Sequence, residues 1–242
     1  MFGIGTLLVT GAVFPAACLL IRDEDRRRRR LQHAFSGGCR FFIWFMKALG
    51  LLNWQVTGVE HLTGRGRLIV ANHPTLIDAV FFLAWMPEAV CIVKHALQRN
   101  PFLGWAIASA GYIGNADPES LIADCVAGLR AGQSLIVFPE GTRTVPGQAA
   151  RFKRGAARIA LGAGVPVVPV RISCEPITLT KGTPWYRVPE RAAQFRFEIG
   201  APITADEYSV ADDETKAHAA RRLTQLLQLR LAPTAGEAGA AL

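Results

Sequence analysis

Two polar clusters in this 242-residue sequence hold residue types that could do chemistry together. The first is Asn72-His73-Pro74-Thr75-Leu76-Ile77-Asp78. Imidazole is the side chain whose ordinary pKa suits proton transfer near neutral pH. A carboxylate on one of its nitrogens fixes the tautomer and leaves the other nitrogen free to take a proton. On an unbroken helix, residues five apart diverge by about 140° around the axis. Pro74 changes this, because proline suits the first position of a helix and leaves His73 in the non-helical approach. From there His73 can fold back toward Asp78. The pair would be the base and orienter of a triad whose nucleophile comes from the substrate. The spacing alone is weak, since a histidine capping a helix beside a solvated aspartate gives the same pattern.

The second cluster is Phe138-Pro139-Glu140-Gly141-Thr142-Arg143. Gly141 permits a positive φ or a close approach to a ligand. Thr142 and Arg143 can bind phosphate oxygens, and Glu140 can accept from hydroxyls or hold a basic side chain. Arg151, Lys153 and Arg154 follow, ahead of Gly155-Ala156-Ala157, where a helix N-terminus would add backbone donors for an anion. The plainer alternative is a β-turn beside a basic surface. Occurring in one chain and in this order, the clusters read as an enzyme that activates a hydroxyl on a charged lipid.

Both clusters follow short apolar runs, and those runs must position them. Leu68–Ala71, Val90–Val93, Leu135–Phe138 and Val167–Ile172 read as strands buried on both faces. Residues 75–86, 98–109, 118–131 and 152–163 read as the helices between them. The alternating Phe195–Ile199 suits an edge strand, and a last helix over about 212–231 precedes a disordered 233–242 tail. The expected class is α/β, a largely parallel sheet flanked by helices. Open sheets of this kind place their chemistry at strand ends.

Residues 1–55 read differently, as an N-terminal membrane anchor ahead of a 56–232 catalytic domain. Gly3–Ile21 is uncharged, apolar and just long enough to cross a bilayer as a helix. The arginines Arg26–Arg30 follow it, which by the positive-inside rule keeps that end cytoplasmic. Phe41–Leu52 is a shorter aromatic run containing Lys47; it reads as an interfacial or re-entrant helix with Trp44 at headgroup depth, or else as a core helix. Half the residues are apolar and mean hydropathy is +0.23, so some apolar surface should meet something other than water. The net charge of +8 fits anionic partners, nucleic acid or membrane alike. The densest charge flanks an apolar segment rather than spreading over a face with interleaved aromatics, so no nucleic-acid role is expected. Five scattered cysteines, with no CxxC pair, indicate neither a zinc site nor a disulfide framework.

On these residues the chain resembles the 1-acylglycerol-3-phosphate acyltransferase family of membrane glycerolipid acyltransferases, over roughly residues 40 to 205. Asn72-His73-Pro74 through Asp78 is similar to the family's first motif. Lys94 and Pro101-Phe102-Leu103-Gly104-Trp105 resemble the segment after it, Phe138–Arg143 the third motif with its basic stretch Phe152–Ala156, and Val165–Val170 the fourth. The resemblance implies acyl transfer from an acyl thioester to a lysolipid hydroxyl, with an N-terminal two-helix anchor. His73 would be the base and Asp78 its orienter. Arg143 would bind the acceptor phosphate with help from Lys153, and Glu140, Gly141, Thr142 and Lys94 would complete the substrate site. No metal or organic cofactor is implied; acyl-CoA or acyl carrier protein would be the co-substrate. One departure stands out. The family's second motif usually ends in a basic residue, whereas Gly111-Tyr112-Ile113-Gly114-Asn115-Ala116-Asp117 has no arginine.

The expected protein is therefore a membrane-bound O-acyltransferase, placed at the bacterial inner membrane with its catalytic domain facing the cytoplasm. Its expected partners are the phospholipid membrane, an acyl thioester donor and a lysolipid acceptor. The first acceptor to consider is 1-acylglycerol-3-phosphate, with a lyso-aminolipid or a secondary-metabolite lipid as the alternative. A thioesterase using the same histidine on water, or a non-catalytic membrane scaffold, are the rival readings.

Overall fold

The computed structural model describes residues 21–93, 111–114, 117–145, 150–184, 186–210 and 214–232. Residues 3–20 of the apolar stretch, Lys94, the expected 98–109 helix and the 233–242 tail lie outside them. In chain order the elements are α1 (Glu24–Ala48), β1 (Leu52–Thr57), a 3-10 turn (Val59–Leu62), β2 (Leu68–Ala71), α2 (Asp78–Trp85), β3 (Val90–Val93) and β4 (Ile113–Gly114). They continue with α3 (Pro118–Arg130), β5 (Leu135–Val137), α4 (Gly155–Ala163), β6 (Val167–Glu175), β7 (Ala193–Ile199), α5 (Ala205–Tyr208) and α6 (Lys216–Arg230).

The described strands form one seven-stranded sheet in the order β1-β7-β6-β2-β5-β3-β4. Every neighbouring pair is parallel except β6 with β7. On β2, Leu68 and Val70 enter one core while Ile69 and Ala71 enter the other, which is why the strand is an unbroken apolar run. Helices α1 and α2 cover the Ile69 and Ala71 face, together with Phe195 and Phe197; α3, α4 and α6 cover the Leu68 and Val70 face. The α/β class with a mostly parallel, helix-flanked sheet is what the strand and helix pattern predicts.

Two expectations need correction. The alternating segment of β7 does not sit at an edge: it lies between β6 and β1. Its alternation has another cause. Ala193, Phe195, Phe197 and Ile199 are buried on one side, while Gln194 and Arg196 on the other are exposed, so among the described residues no helix covers that face of the strand. Second, the Phe41–Leu52 run is not a separate helix. Residues 41–48 are the last turns of α1, and Leu52 begins strand β1. The arginine run forms the opening turns of that same helix. Asp23 caps it by accepting from the Arg26 N–H at 2.6 Å, and Glu24 and Asp25 sit where the helix dipole favours negative charge.

Helix α1 buries Leu31, Ser36, Cys39 and Ile43 and leaves Phe41 and Trp44 each 59% exposed. Among the described residues no helix is long and apolar enough to cross a membrane.

Candidate active site

The site begins where β2 ends. Asn72 is the first residue past the strand, and its side-chain amide continues the sheet: Nδ2 donates to the Ile172 carbonyl at 2.8 Å, and Oδ1 accepts from the Ile172 N–H at 2.7 Å. This cross-strand pair to β6 fixes the exit direction of the chain, so His73 enters the site from a rigid base. The helix does not start at Pro74 as expected. Residues 74–77 form a turn and Asp78 opens α2. The turn wins because the Asp78 carboxylate collects its donors there. Thr75 gives Oδ2 its N–H (2.7 Å) and Oδ1 its hydroxyl (2.6 Å), as a capping side chain would.

His73 folds back as the sequence predicts, placing Nδ1 at 2.9 Å from Asp78 Oδ2. With the Asp78 carboxylate ionised, it can only accept, which places the ring proton on Nδ1 and leaves Nε2 its lone pair. The imidazole stacks on Phe138 with centroids 4.1 Å apart and planes 19° from parallel, which fixes the ring's tilt. Asp78 is fully buried. Burial pushes its carboxyl above the ordinary range, while the His73 contact and the Thr75 donors pull the other way.

The turn after β5 meets His73 from the other side. Glu140 is buried rather than open to substrate, and its Oε1 accepts from the His73 backbone N–H at 3.0 Å. Gly141 has φ of +68°, and a Cβ there would come within 3.0 Å of Lys153 Nζ, so glycine serves both the reversal of the chain and the approach of that ammonium. Thr142 is exposed, as are Arg151, Lys153 and Arg154 beyond the turn. Helix α4 starts at Gly155, three residues later than expected. Arg143 is anchored to protein: its Nη1 donates to the carbonyls of Leu179 (2.9 Å) and Thr180 (2.8 Å). The Leu179 carbonyl also accepts from the Leu76 N–H at 3.1 Å, so the 176–180 loop straps both clusters.

The structure thus brings His73, Asp78, Glu140, Gly141, Arg143 and Lys153 to one end of the sheet. The second motif lies at the sheet edge, where Ile113–Gly114 is β4 and Asp117 caps α3 by accepting from the Ser120 N–H at 2.8 Å. Thr75, Phe138 and Thr144 touch His73, Asp78 or Glu140, and spacing arguments did not single them out. Thr75 had a signal, since Thr-x-x-Asp is a helix-start pattern. Cys39, Cys91, Cys125 and Cys174 are free, and burial pushes their thiols up to about 12, which makes them poor nucleophiles.

A protein-family model described as Acyltransferase matches residues 53–173, half of the chain. The 1-acyl-sn-glycerol-3-phosphate acyltransferase of Limnanthes douglasii is 31% identical over 223 residues, covering 87% of this chain and 75% of that protein. This chain belongs to the 1-acyl-sn-glycerol-3-phosphate acyltransferase family. The Pseudomonas aeruginosa protein of the same name is 28% identical over 152 residues, with 59% of this chain and 58% of that protein aligned. The Saccharomyces cerevisiae one is 32% identical over 177 residues, covering 69% and 57%. These last two alignments span somewhat over half the relatives' length. The fold of this family member is shared with the crystal structure of the 1-acyl-sn-glycerophosphate (LPA) acyltransferase from Thermotoga maritima. The TM-score is 0.61 at 23% identity, over 95% of this chain and 97% of that one.

Proposed function

We propose that this family member is a membrane-bound O-acyltransferase that moves a fatty acyl group from an acyl thioester, acyl-CoA or acyl carrier protein, to the hydroxyl of a lysophospholipid. The observation that carries the reading is the His73–Asp78 contact at 2.9 Å, which leaves Nε2 as a base at the end of the sheet. Nε2 takes the acceptor hydroxyl's proton as the oxygen attacks the thioester carbonyl. The tetrahedral adduct then collapses, the carbon–sulfur bond breaks, and the imidazolium returns its proton to the departing thiolate. The exposed cations Arg151, Lys153 and Arg154 favour an anionic headgroup, and 1-acylglycerol-3-phosphate is the acceptor we assign first. The second motif's lack of an arginine favours the alternative, a lysolipid with another headgroup. The test is lipid mass spectrometry on purified enzyme given one acyl donor and a panel of lysolipids. Acylated lysolipid supports the reading. Free fatty acid formed equally without any acceptor would make the protein a thioesterase instead.

Headgroup reading is checked separately. Arg143→Ala should lower kcat/KM for lysophosphatidic acid by about 1.5–3 kcal/mol, the scale of a charge-assisted hydrogen bond, mainly through the acceptor KM. The same change strips a donor from Leu179 and Thr180, which affects every acceptor. The informative quantity is therefore the ratio of kcat/KM for lysophosphatidic acid to that for a zwitterionic lysolipid. An unchanged ratio would restrict Arg143 to anchoring the loop.

Membrane attachment rests on the apolar 3–21 stretch and on Phe41 and Trp44, which α1 holds exposed. Full-length protein should stay in the membrane pellet through a high-salt wash. Deleting residues 1–20 should weaken that retention without abolishing it, and adding Phe41→Glu with Trp44→Glu should release the remainder. Truncation past Leu31 is a poorer test, because that side chain is 1% exposed in the core. Complete release of the full-length protein by salt alone would show that charge, not insertion, holds it.

A further inference from the structure

We propose that Glu140 and Thr144 are positioning residues that grip the backbone of His73, so that these two side chains set the aim of the imidazole instead of contacting substrate. The inference rests on the reading of His73 as the base.

The Asp78 contact fixes the imidazole only through Nδ1, and a ring held at one atom still swings with its own Cα. The structure supplies the missing constraint. The His73 N–H donates to Glu140 Oε1 at 3.0 Å, and the Thr144 hydroxyl donates to the same oxygen at 2.9 Å. The Thr144 N–H in turn donates to the His73 carbonyl at 2.7 Å. The three bonds close a ring that holds both backbone polar groups of His73. The ring itself stands on a braced turn: Gly141 N–H donates to the Phe138 carbonyl at 3.0 Å, and Lys153 N–H to the Pro139 carbonyl at 2.8 Å. A carboxylate meant for the acceptor would face the open side. Glu140 is instead buried with its Oε1 aimed at two protein donors, and Thr144 lies just beyond the residues by which the cluster was recognised. Asp78 thus sets the ring, Phe138 its tilt, and Glu140 with Thr144 the position of the backbone that carries it.

The test uses the full-length enzyme in detergent or bilayer with the acyl donor and lysolipid that it accepts. Thr144→Val removes one hydroxyl at constant shape, and Glu140→Ala removes the shared acceptor. Each should cut kcat about ten- to a hundredfold, the scale of a small misplacement of a reacting group. KM for acceptor and donor should stay within about twofold of wild type, since no substrate contact is lost. Thr144→Ser and Glu140→Gln keep the hydroxyl and the accepting oxygen, so both should restore most of kcat. A raised acceptor KM with unchanged kcat would overturn the proposal in favour of direct substrate contact, as would unchanged kinetics in both removal variants. Diethyl pyrocarbonate labelling of His73, read by peptide mass spectrometry, needs no turnover. Its rate should change at least about threefold in Thr144→Val and return in Thr144→Ser; an unchanged rate counts against the grip. A wild type that labels as expected yet acylates no lysolipid would sink the proposed activity and leave the positioning result standing.

Discussion

His73→Ala should lower kcat at least ~100-fold, the usual scale for removing a general base, while acceptor binding changes far less. Asp78→Asn should cost as much or more. An amide in that place can offer its N–H to Nδ1, which would move the ring proton to Nε2 and leave the site-facing nitrogen a donor instead of a base. Near-normal turnover in His73→Ala would refute the mechanism. Stability separates this loss from unfolding. The folded protein holds the Asp78 proton more tightly than the unfolded chain does, because burial raises its pKa. The wild type's stability contribution from this group is therefore complete at low pH and declines as pH rises through the folded value. Asparagine carries no such charge. In urea titrations across a pH series, the stability difference should move steadily in favour of Asp78→Asn as pH increases. A difference that moved the other way would mean that the donors around Asp78 outweigh its burial.

The largest effect on stability is expected at Phe81, on the helix that Asp78 opens. Its side chain is 0% exposed and meets Phe197, Phe195, Trp85 and Trp54 at centroid distances of 4.8, 5.1, 5.5 and 5.8 Å. Phe81→Ala should cost about 3–5 kcal/mol, the range for truncating a buried aromatic. That is a large share of the roughly 5–15 kcal/mol by which domains are stable. Because α2 is seated on the sheet through Phe81 and carries Asp78 at its first position, activity should fall along with the urea midpoint. Phe81→Leu, which keeps most of the volume, should recover much of both. A Phe81→Ala midpoint within error of wild type would mean that the aromatic cluster does not hold α2.

Much of the sheet was legible because its strands are buried on both faces, and such segments stand out as short apolar runs between turn residues. Leu68–Ala71 and Val90–Val93 form strands at the boundaries their composition suggests. The segment 41–57 was harder. A run that is apolar and aromatic satisfies a membrane interface and a protein core equally well. Only packing shows that α1 turns Cys39 and Ile43 into the core and Phe41 and Trp44 outward, and that the chain then enters the sheet as β1.

By itself the sequence determined the α/β class, the His73–Asp78 pairing and the basic, glycine-bearing turn after β5, since each depends on residues within a few positions of one another. Thr144 stands 71 positions from His73 and Glu140 67, and Arg143 meets carbonyls 36 and 37 residues away. No local pattern encodes such bonds. They form only when parallel pairing of β2 with both β5 and β6 delivers three separate chain segments to the same end of the sheet. Tertiary structure therefore decided what Glu140 and Arg143 touch. A carboxylate and a guanidinium bond to whichever donors and acceptors share their burial, and in this fold these include the backbone of His73 and the loop over residues 179–180.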